Sequence, residues 1–345
     1  MDRGQPRNRI RIGWWLCRSI KARSGNRRDS AACRRRLARR RLPRYITLES
    51  STRIRQYCYP DQHLATRTVA AGNRPDSLVK LIASTKTDMN AQYSPDGRKI
   101  VFGSFRSGTA EIWVANDDGS ASAPLTAFGG PNTGTPHWSP DGKRIAFEGN
   151  ADIWIMNADG GSLRRVTTNP ALDYVPSWSR DGRWIYFASN RTGDFQVWKV
   201  DPDTGRELQI THHGGFNAME SPDGHVLYFS KSQDENTEVW KIPSNGGTEV
   251  AAMLSREGQP IKVAGWYYWH AFNDGVYFVQ IVPGPSSLDE IRFFNFDTGK
   301  STLIKTLTGY RADPGGLRAS SDRRWMLFAQ GDRVDKNIML VNNFR

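Results

Sequence analysis

The side chains of this 345-residue chain that are equipped for chemistry recur in register rather than in one cluster. His137 and His270 each stand four residues before an aspartate of a tight-turn motif, Asp141 and Asp274. The same place before four further aspartates holds Gln92, Ser177, Met219 and Arg318. Imidazole, amide and guanidinium groups brought together could bind an anion or a peptide carboxylate; a metal is the weaker fit. The plain alternative is that these side chains pack or hydrate between neighbouring elements. Eight residues before the same aspartates stand Asp88, Thr133, Asp173, Gly215, Trp266 and Pro314. Asp88, Asp173 and Tyr174, aided by GWYYWH at 265–270, are expected to form an acidic, aromatic rim on a loop face. Ordinary turn chemistry is the competing explanation.

Other chemistry is absent at the level of motifs. No GxSxG elbow, HExxH helix or CxxC pair occurs. His212 and His213 are adjacent in THHGGF and so point apart, which suits a loop rather than a two-histidine metal site. His225 follows a turn, and His63 lies near the N-terminus. Acidic turns such as NDDGS (116–120) lack the spaced oxygen ligands of a calcium loop. The expectation is a non-enzymatic protein with no cofactor and no metal.

The register itself carries the architecture. Asp96, Asp141, Asp181, Asp223, Asp274 and Asp322 are spaced by 45, 40, 42, 51 and 48 residues, a period that means a stacked or circular array. In YSPDGRKIVFGS, WSPDGKRIAFEG, WSRDGRWIYFAS and ESPDGHVLYFSK, proline, aspartate and glycine fit a tight turn. The run that follows alternates in period two and reads as a strand. Phe102, Phe147, Phe187, Phe229 and Phe328 sit six residues after their aspartate, and Phe278 four after Asp274. A second strand follows (EIWVAN, DIWIMN, QVWKVD, EVWKIP, EIRFFN, NIMLVN), with Trp113, Trp154, Trp198, Trp240, Arg292 and Met339 in one slot. A third strand follows five of these. The sixth is supplied from ahead of the first unit by SLVKLIAS (77–84), and the run before each aspartate is a fourth, innermost strand. Four strands in each of six units predict an all-β fold, a six-bladed β-propeller of four-stranded antiparallel blades, its ring closed by 77–84. The phenylalanines and tryptophans are expected to be inter-blade core.

These residues resemble the TolB-like propeller, built from WD40-like repeats with a Ser-Pro-Asp-Gly signature. The resemblance covers about 77–345 and rests on SPDG at 94–97, 139–142 and 221–224, SRDG at 179–182, and the phrases FRSG and SNRTG. DKNIMLVNNFR (335–345) and WSRDGRWIYFASNRTG also look like the sensor propellers of bacterial winged-helix transcriptional regulators. The resemblance implies a binding platform for a protein, peptide or small ligand at the channel mouth or loop face, outside the cytoplasm. Two alternatives accompany it: an enzyme-associated propeller, as a peptidase cap or channel-centred lyase, and a DNA-linked regulator acting through the N-terminus.

The net charge of +13 belongs to one end. Residues 1–60 hold 18 Lys+Arg against 3 Asp+Glu, and the remainder 30 against 32. All three cysteines also lie in 1–60, so the repeats have no disulfide framework. Residues 1–76 are expected to be a disordered basic leader. They could bind nucleic acid by phosphate neutralisation, remain a solvated tail, or reflect a wrong start or reading frame, as their 17 arginines to one lysine in 1–60 suggest. Nucleic acid is a partner only if this segment is genuine. IGWWLC is too short for a signal-peptide core, and no run of 18 apolar residues forms a membrane span.

Overall fold

The computed structural model describes residues 78–82, 84–130, 133–282, 288–307, 310–311, 316–331 and 336–342. The expected leader, 1–76, lies outside them. The described residues form β-strands and connecting turns with no helix. The strands group into six antiparallel sheets.

Five sheets are each one continuous meander. The first is Asp88–Tyr93, Lys99–Ser104, Glu111–Asn116 and Ala123–Pro124; the second is Thr133–Trp138, Arg144–Gly149, Asp152–Asn157 and Arg164–Arg165. The third runs Asp173–Trp178, Ile185–Ser189, Gln196–Val200 and Glu207–Gln209; the fourth runs Phe216–Glu220, Val226–Ser230, Thr237–Pro243 and Val250–Ala251. The fifth is Trp269–Phe272, Gly275–Val282, Leu288–Asn295 and Lys300–Leu307. The sixth sheet is composite. Leu317–Ala319 and Tyr310–Arg311 pair with Trp325–Gly331, which pairs with Lys336–Asn342, and that strand pairs with Leu78–Ile82 from the other end of the described chain. Four outer strands shrink to two or three residues, which blunts the free edges.

Why these residues form these elements is visible at the turns. Ser94 Oγ donates to Asp96 Oδ1 at 2.6 Å, the same oxygen accepts Arg98 N–H at 3.1 Å, and Ser94 Oγ accepts Lys99 N–H at 2.9 Å. Ser139, Ser179, Ser221 and Ser320 repeat this with Asp141, Asp181, Asp223 and Asp322. Gly97, Gly142, Gly182 and Gly224 follow with φ of 72°, 68°, 70° and 74°, the left-handed region open to glycine at no steric cost. The sixth turn has Arg323 there, at φ 57°. Its guanidinium is bonded to Asp274 of the fifth sheet and lies 4.2 Å from the centre of the Phe272 ring. Those contacts offset the strain that a Cβ incurs in that region.

The core lies between sheets. Val101 and Ile112 of the first pack with Trp138, Ile145 and Phe147 of the second. Ala146 and Ile153 pack with Trp178, Ile185 and Phe187 of the third. The series continues through Tyr186 with Phe229, Tyr228 with Trp269 and Phe278, and Tyr277 with Leu317 and Phe328. It returns to its start where Leu327 and Ile82 pack against Ile100 and Phe102.

The repeated phenylalanines are all buried. The tryptophans of the second-strand slot lie at the margin of the same packing: Trp113, Trp154, Trp198 and Trp240 are half-buried against the inter-sheet clusters. Register explains this. Each sits directly across from its phenylalanine, as in Phe102↔Trp113 and Phe229↔Trp240, so the indole covers an outer part of the sheet. A cation lies over three of these indoles: Arg106 at 5.4 Å from Trp113, Arg191 at 4.6 Å from Trp198 and Lys231 at 4.2 Å from Trp240. Phe229→Ala is expected to lower unfolding stability by about 3–5 kcal/mol, and Trp240→Ala by clearly less. Urea unfolding of both variants checks this ranking.

Candidate functional site

The innermost strands carry a shared distortion. Register slips between Met89 and Gln92, Gly134 and His137, Tyr174 and Ser177, and Phe216 and Met219. At each bulge one residue has positive φ: Asn90 54°, Thr135 47°, Val175 57° and Asn217 46°. A bulge re-aims the side chains that follow it, and those are the residues four before each aspartate.

These side chains tie neighbouring inner strands together. Gln92 Oε1 accepts Trp138 N–H at 2.8 Å, and Gln92 Nε2 lies 3.2 Å from His137 Nε2. His137 Nδ1 lies 3.1 Å from the Trp138 carbonyl and 3.4 Å from the backbone N–H of Trp178, so this ring also reaches the third sheet. Ser177 Oγ donates to Ala218 O at 2.7 Å. Ala319 N–H donates to His270 Nδ1 at 3.3 Å, which leaves the His270 proton on Nε2. Burial first, then the charges of Arg318 and Arg180, pushes His137 down to about 3 and His270 well below the usual histidine range. Both rings are neutral at physiological pH.

A cavity of about 420 Å³ opens among them. Its mouth is the ring of exposed residues that immediately precede the repeat aspartates: Pro95, Pro140, Arg180, Pro222, Asn273 and Ser321. Tyr93, Trp138, Trp178, Glu220, Phe272 and Ala319 line it, with Gln92, His137, Met219 and His270. Arg318 is outside the lining but within electrostatic reach of both histidines. It donates to Leu317 O at 3.0 Å, Trp269 O at 3.4 Å and Asn217 Oδ1 at 3.3 Å.

Spacing thus places Gln92, His137 and His270 in one cavity. Arg180 and Glu220 escaped sequence reasoning, although both interrupt the repeat. Arg180 stands where the SRDG copy lacks the proline of SPDG, and Glu220 where other copies have Tyr93, Trp138 or Trp178. Glu220 accepts Arg180 N–H at 2.7 Å and the Tyr186 hydroxyl at 2.6 Å.

The acidic rim expected from Asp88, Asp173 and Tyr174 is corrected. Asp88 and Asp173 are wholly buried at the other end of their strands from the mouth. Arg106 donates to Asp88 Oδ2 at 2.8 Å, and Arg191 reaches both oxygens of Asp173, at 3.3 and 3.0 Å. The physical reason is that the arginines of FRSG and SNRTG fold back over their own sheets and neutralise these carboxylates. Tyr174 is half-buried instead in an aromatic series. It lies 6.0 Å from Phe195, which is 5.1 Å from Phe216, which is 4.5 Å from Trp266. His212 and His225 are exposed, as expected of loop and turn residues. No group of three or more metal-ligating side chains occurs among the described residues.

A family model described as the TolB beta propeller domain matches residues 71–260, more than half of the chain. The chain belongs to that family. The Tol-Pal system protein TolB of Anaeromyxobacter dehalogenans is 38% identical over 123 residues, 33% of this chain and 26% of the relative. That of Bordetella pertussis is 32% identical over 140 residues, 39% of this chain and 31% of the relative. The chain therefore spans about a quarter to a third of the curated relatives it matches. Among solved structures, TolB from Acinetobacter baumannii aligns with a TM-score of 0.50 at 15% identity, over 75% of this chain and 64% of that one. Oligogalacturonate lyase from Vibrio parahaemolyticus aligns with a TM-score of 0.56 at 12% identity, over 80% and 96%. These two share the fold alone. The resemblance to regulator sensor propellers gains no support from these relatives. The described residues contain no helix long and apolar enough to cross a membrane.

Two outcomes test the electrostatics of this TolB-type propeller. Arg191→Met leaves Asp173 buried without its counter-charge and is expected to cost about 3–5 kcal/mol, measured by urea unfolding. Glu148 accepts Val175 N–H at 2.9 Å across the second and third sheets, and burial raises its carboxyl above its ordinary value of 4.5. A raised carboxyl means the folded state holds the proton more tightly, so its contribution to stability falls as pH rises above 4.5. Glu148→Gln keeps the acceptor and removes the charge. It is expected to raise the melting temperature at pH 7 and to lose that advantage at pH 4, read by thermal melts across the range.

Proposed function

We propose that this chain is a non-enzymatic binding platform, a closed ring of six blades whose cavity mouth takes a protein or peptide partner or a small ligand. The observation that carries this reading is the cavity of about 420 Å³ with its mouth built from one repeat position in all six units. That size suits a ligand or an inserted side-chain group. The walls combine aromatic faces with a few polar groups, the usual make-up of a recognition site. Membership of the TolB propeller family supports the same reading, since the relatives are named as Tol-Pal system proteins, components of a multiprotein system. The compartment implied by that kinship is the periplasm. If the chain also serves as the sensor part of a regulator, binding at this mouth would be its input.

A non-enzymatic role accords with the groups present. The hydroxyls of Ser94 and Ser320, which line the cavity, donate to Asp96 and Asp322 of their own turns. His137 and His270 bond to an amide and to backbone groups rather than to a hydroxyl. The triad logic of a nucleophile oriented by a base is therefore not assembled from them.

The test is to plug the mouth. Asn273→Trp with Ser321→Trp alters two exposed positions and should leave the circular dichroism spectrum unchanged. Full-length parent and plugged protein are presented separately to periplasmic extract and to purified Tol-Pal components. Partners held by the parent and lost by the plugged chain are the expected result. Identical capture by both chains would remove the reading.

A further inference from the structure

We infer that the cavity is an anion site and that its ligand presents a carboxylate; this rests on the cavity being the binding mouth. Three observations carry the assignment.

First, the fixed charges around the cavity do not cancel. Arg180 donates its guanidinium only to the backbone carbonyls of Ser221 at 3.2 Å and Glu220 at 3.4 Å. Arg318 donates only to two carbonyls and the Asn217 amide oxygen. Among the described residues neither forms an ion pair. Arg323 is neutralised by Asp274. Glu220 is the one carboxylate lining the cavity, and its two oxygens already accept Arg180 N–H and the Tyr186 hydroxyl. Within the lining Arg180 is offset by Glu220, so the positive excess comes from Arg318, behind the lining and within electrostatic reach of His137 and His270; low-dielectric walls concentrate the field of such an excess on whatever enters.

Second, the polar groups left over are donors. With Nδ1 of His270 accepting Ala319 N–H, the remaining nitrogen carries hydrogen. Arg180, at the exposed mouth, bonds the Ser221 and Glu220 carbonyls through Nε and Nη2, which leaves its Nη1 hydrogens without an acceptor among the described residues. A donor-rich cavity is satisfied by an acceptor-only group, and an ionised carboxylate is one. Guanidinium forks match its planar, two-oxygen geometry.

Third, the walls next to these donors are apolar. Trp138, Trp178, Phe272 and Met219 give contact surface to an organic body, which a bare inorganic anion would leave unused. The carboxylate therefore belongs to a carbon skeleton, either a free organic acid or an acidic side chain of a peptide partner.

The experiment is isothermal titration of the full-length chain with three probes. They are succinate, the peptide acetyl-Ala-Glu-Ala-amide beside its Gln counterpart, and inorganic phosphate. Saturable one-to-one binding of succinate or of the Glu peptide is expected, at least tenfold tighter than the Gln peptide, and weakened as salt rises from about 0.05 M to about 0.5 M. Succinate without the Glu peptide identifies a free acid as the source; the Glu peptide held tighter identifies a partner's side chain. Arg180→Met and Arg318→Met should each weaken binding at least tenfold, whereas Arg256→Gln, on an exposed loop, should not. Arg180 is at the exposed mouth, so that variant remains informative if Arg318→Met fails to fold. Absence of saturable binding by either carboxylate probe, tighter binding of phosphate, or binding untouched by both arginine substitutions would overturn the assignment. Should plugging the mouth remove partners while no carboxylate binds, the platform reading stands and the carboxylate assignment alone falls.

Discussion

Packing of sheet against sheet is the constraint on which everything else in this molecule depends. A four-stranded sheet with strands of five or six residues cannot bury either face by itself. Each one hides its apolar residues only against the sheet before and the sheet after, as Phe147 does against Val101 and Ile112. Such an arrangement leaves an apolar face at each end unless the end is capped or the last member meets the first. Here that meeting is made by Leu78–Ile82 joining Lys336–Asn342 in one sheet, and by Leu327 and Ile82 packing on Phe102. The pairing joins the two ends of the described chain, so closure rests on contacts of the longest sequence separation in the fold.

Closure also explains where polar chemistry can exist. Inner strands converge on the centre, so the same repeat position from each sheet is brought close to its counterparts. Their side chains must first satisfy one another. Gln92 holds the second sheet, Ser177 the fourth, and His270 accepts from the sixth. Structural ties between sheets and the lining of the cavity are therefore drawn from one set of repeat positions. The cavity is distinctive where a unit departs from its own repeat: an arginine for a proline at Arg180, a glutamate for an aromatic at Glu220, an arginine for a smaller side chain at Arg318.

At the far end of the same strands the logic is reversed. Asp88 and Asp173 are buried acids answered by arginines of the following hairpins, Arg106 and Arg191, which also lie over the indoles of Trp113 and Trp198. One guanidinium neutralises a carboxylate and covers an aromatic face in a single placement. The phrases FRSG and SNRTG are legible as the source of that placement only when their distance from Asp88 and Asp173 is measured in three dimensions.

Repetition made much of this protein readable from its residues alone. Serine, aspartate and glycine at the turns, alternating apolar runs, and phenylalanine six residues beyond each aspartate are local chemistry. Local hydrogen bonds and φ preferences act over a few residues, so they determined turns and strands, and their repetition marked 77–84 as a strand without a unit of its own. They also placed Gln92, His137 and His270 in equivalent positions. Exposure, pairing and net charge were decided by tertiary structure. Whether Asp173 forms a rim or a buried pair depends on a hairpin that folds back over it, and whether Trp240 is core or cover depends on its place across from Phe229. The excess of positive charge in the cavity arises from Arg180, Arg318 and Glu220, which lie far apart in the chain and meet only because the ring brings their strands to one centre.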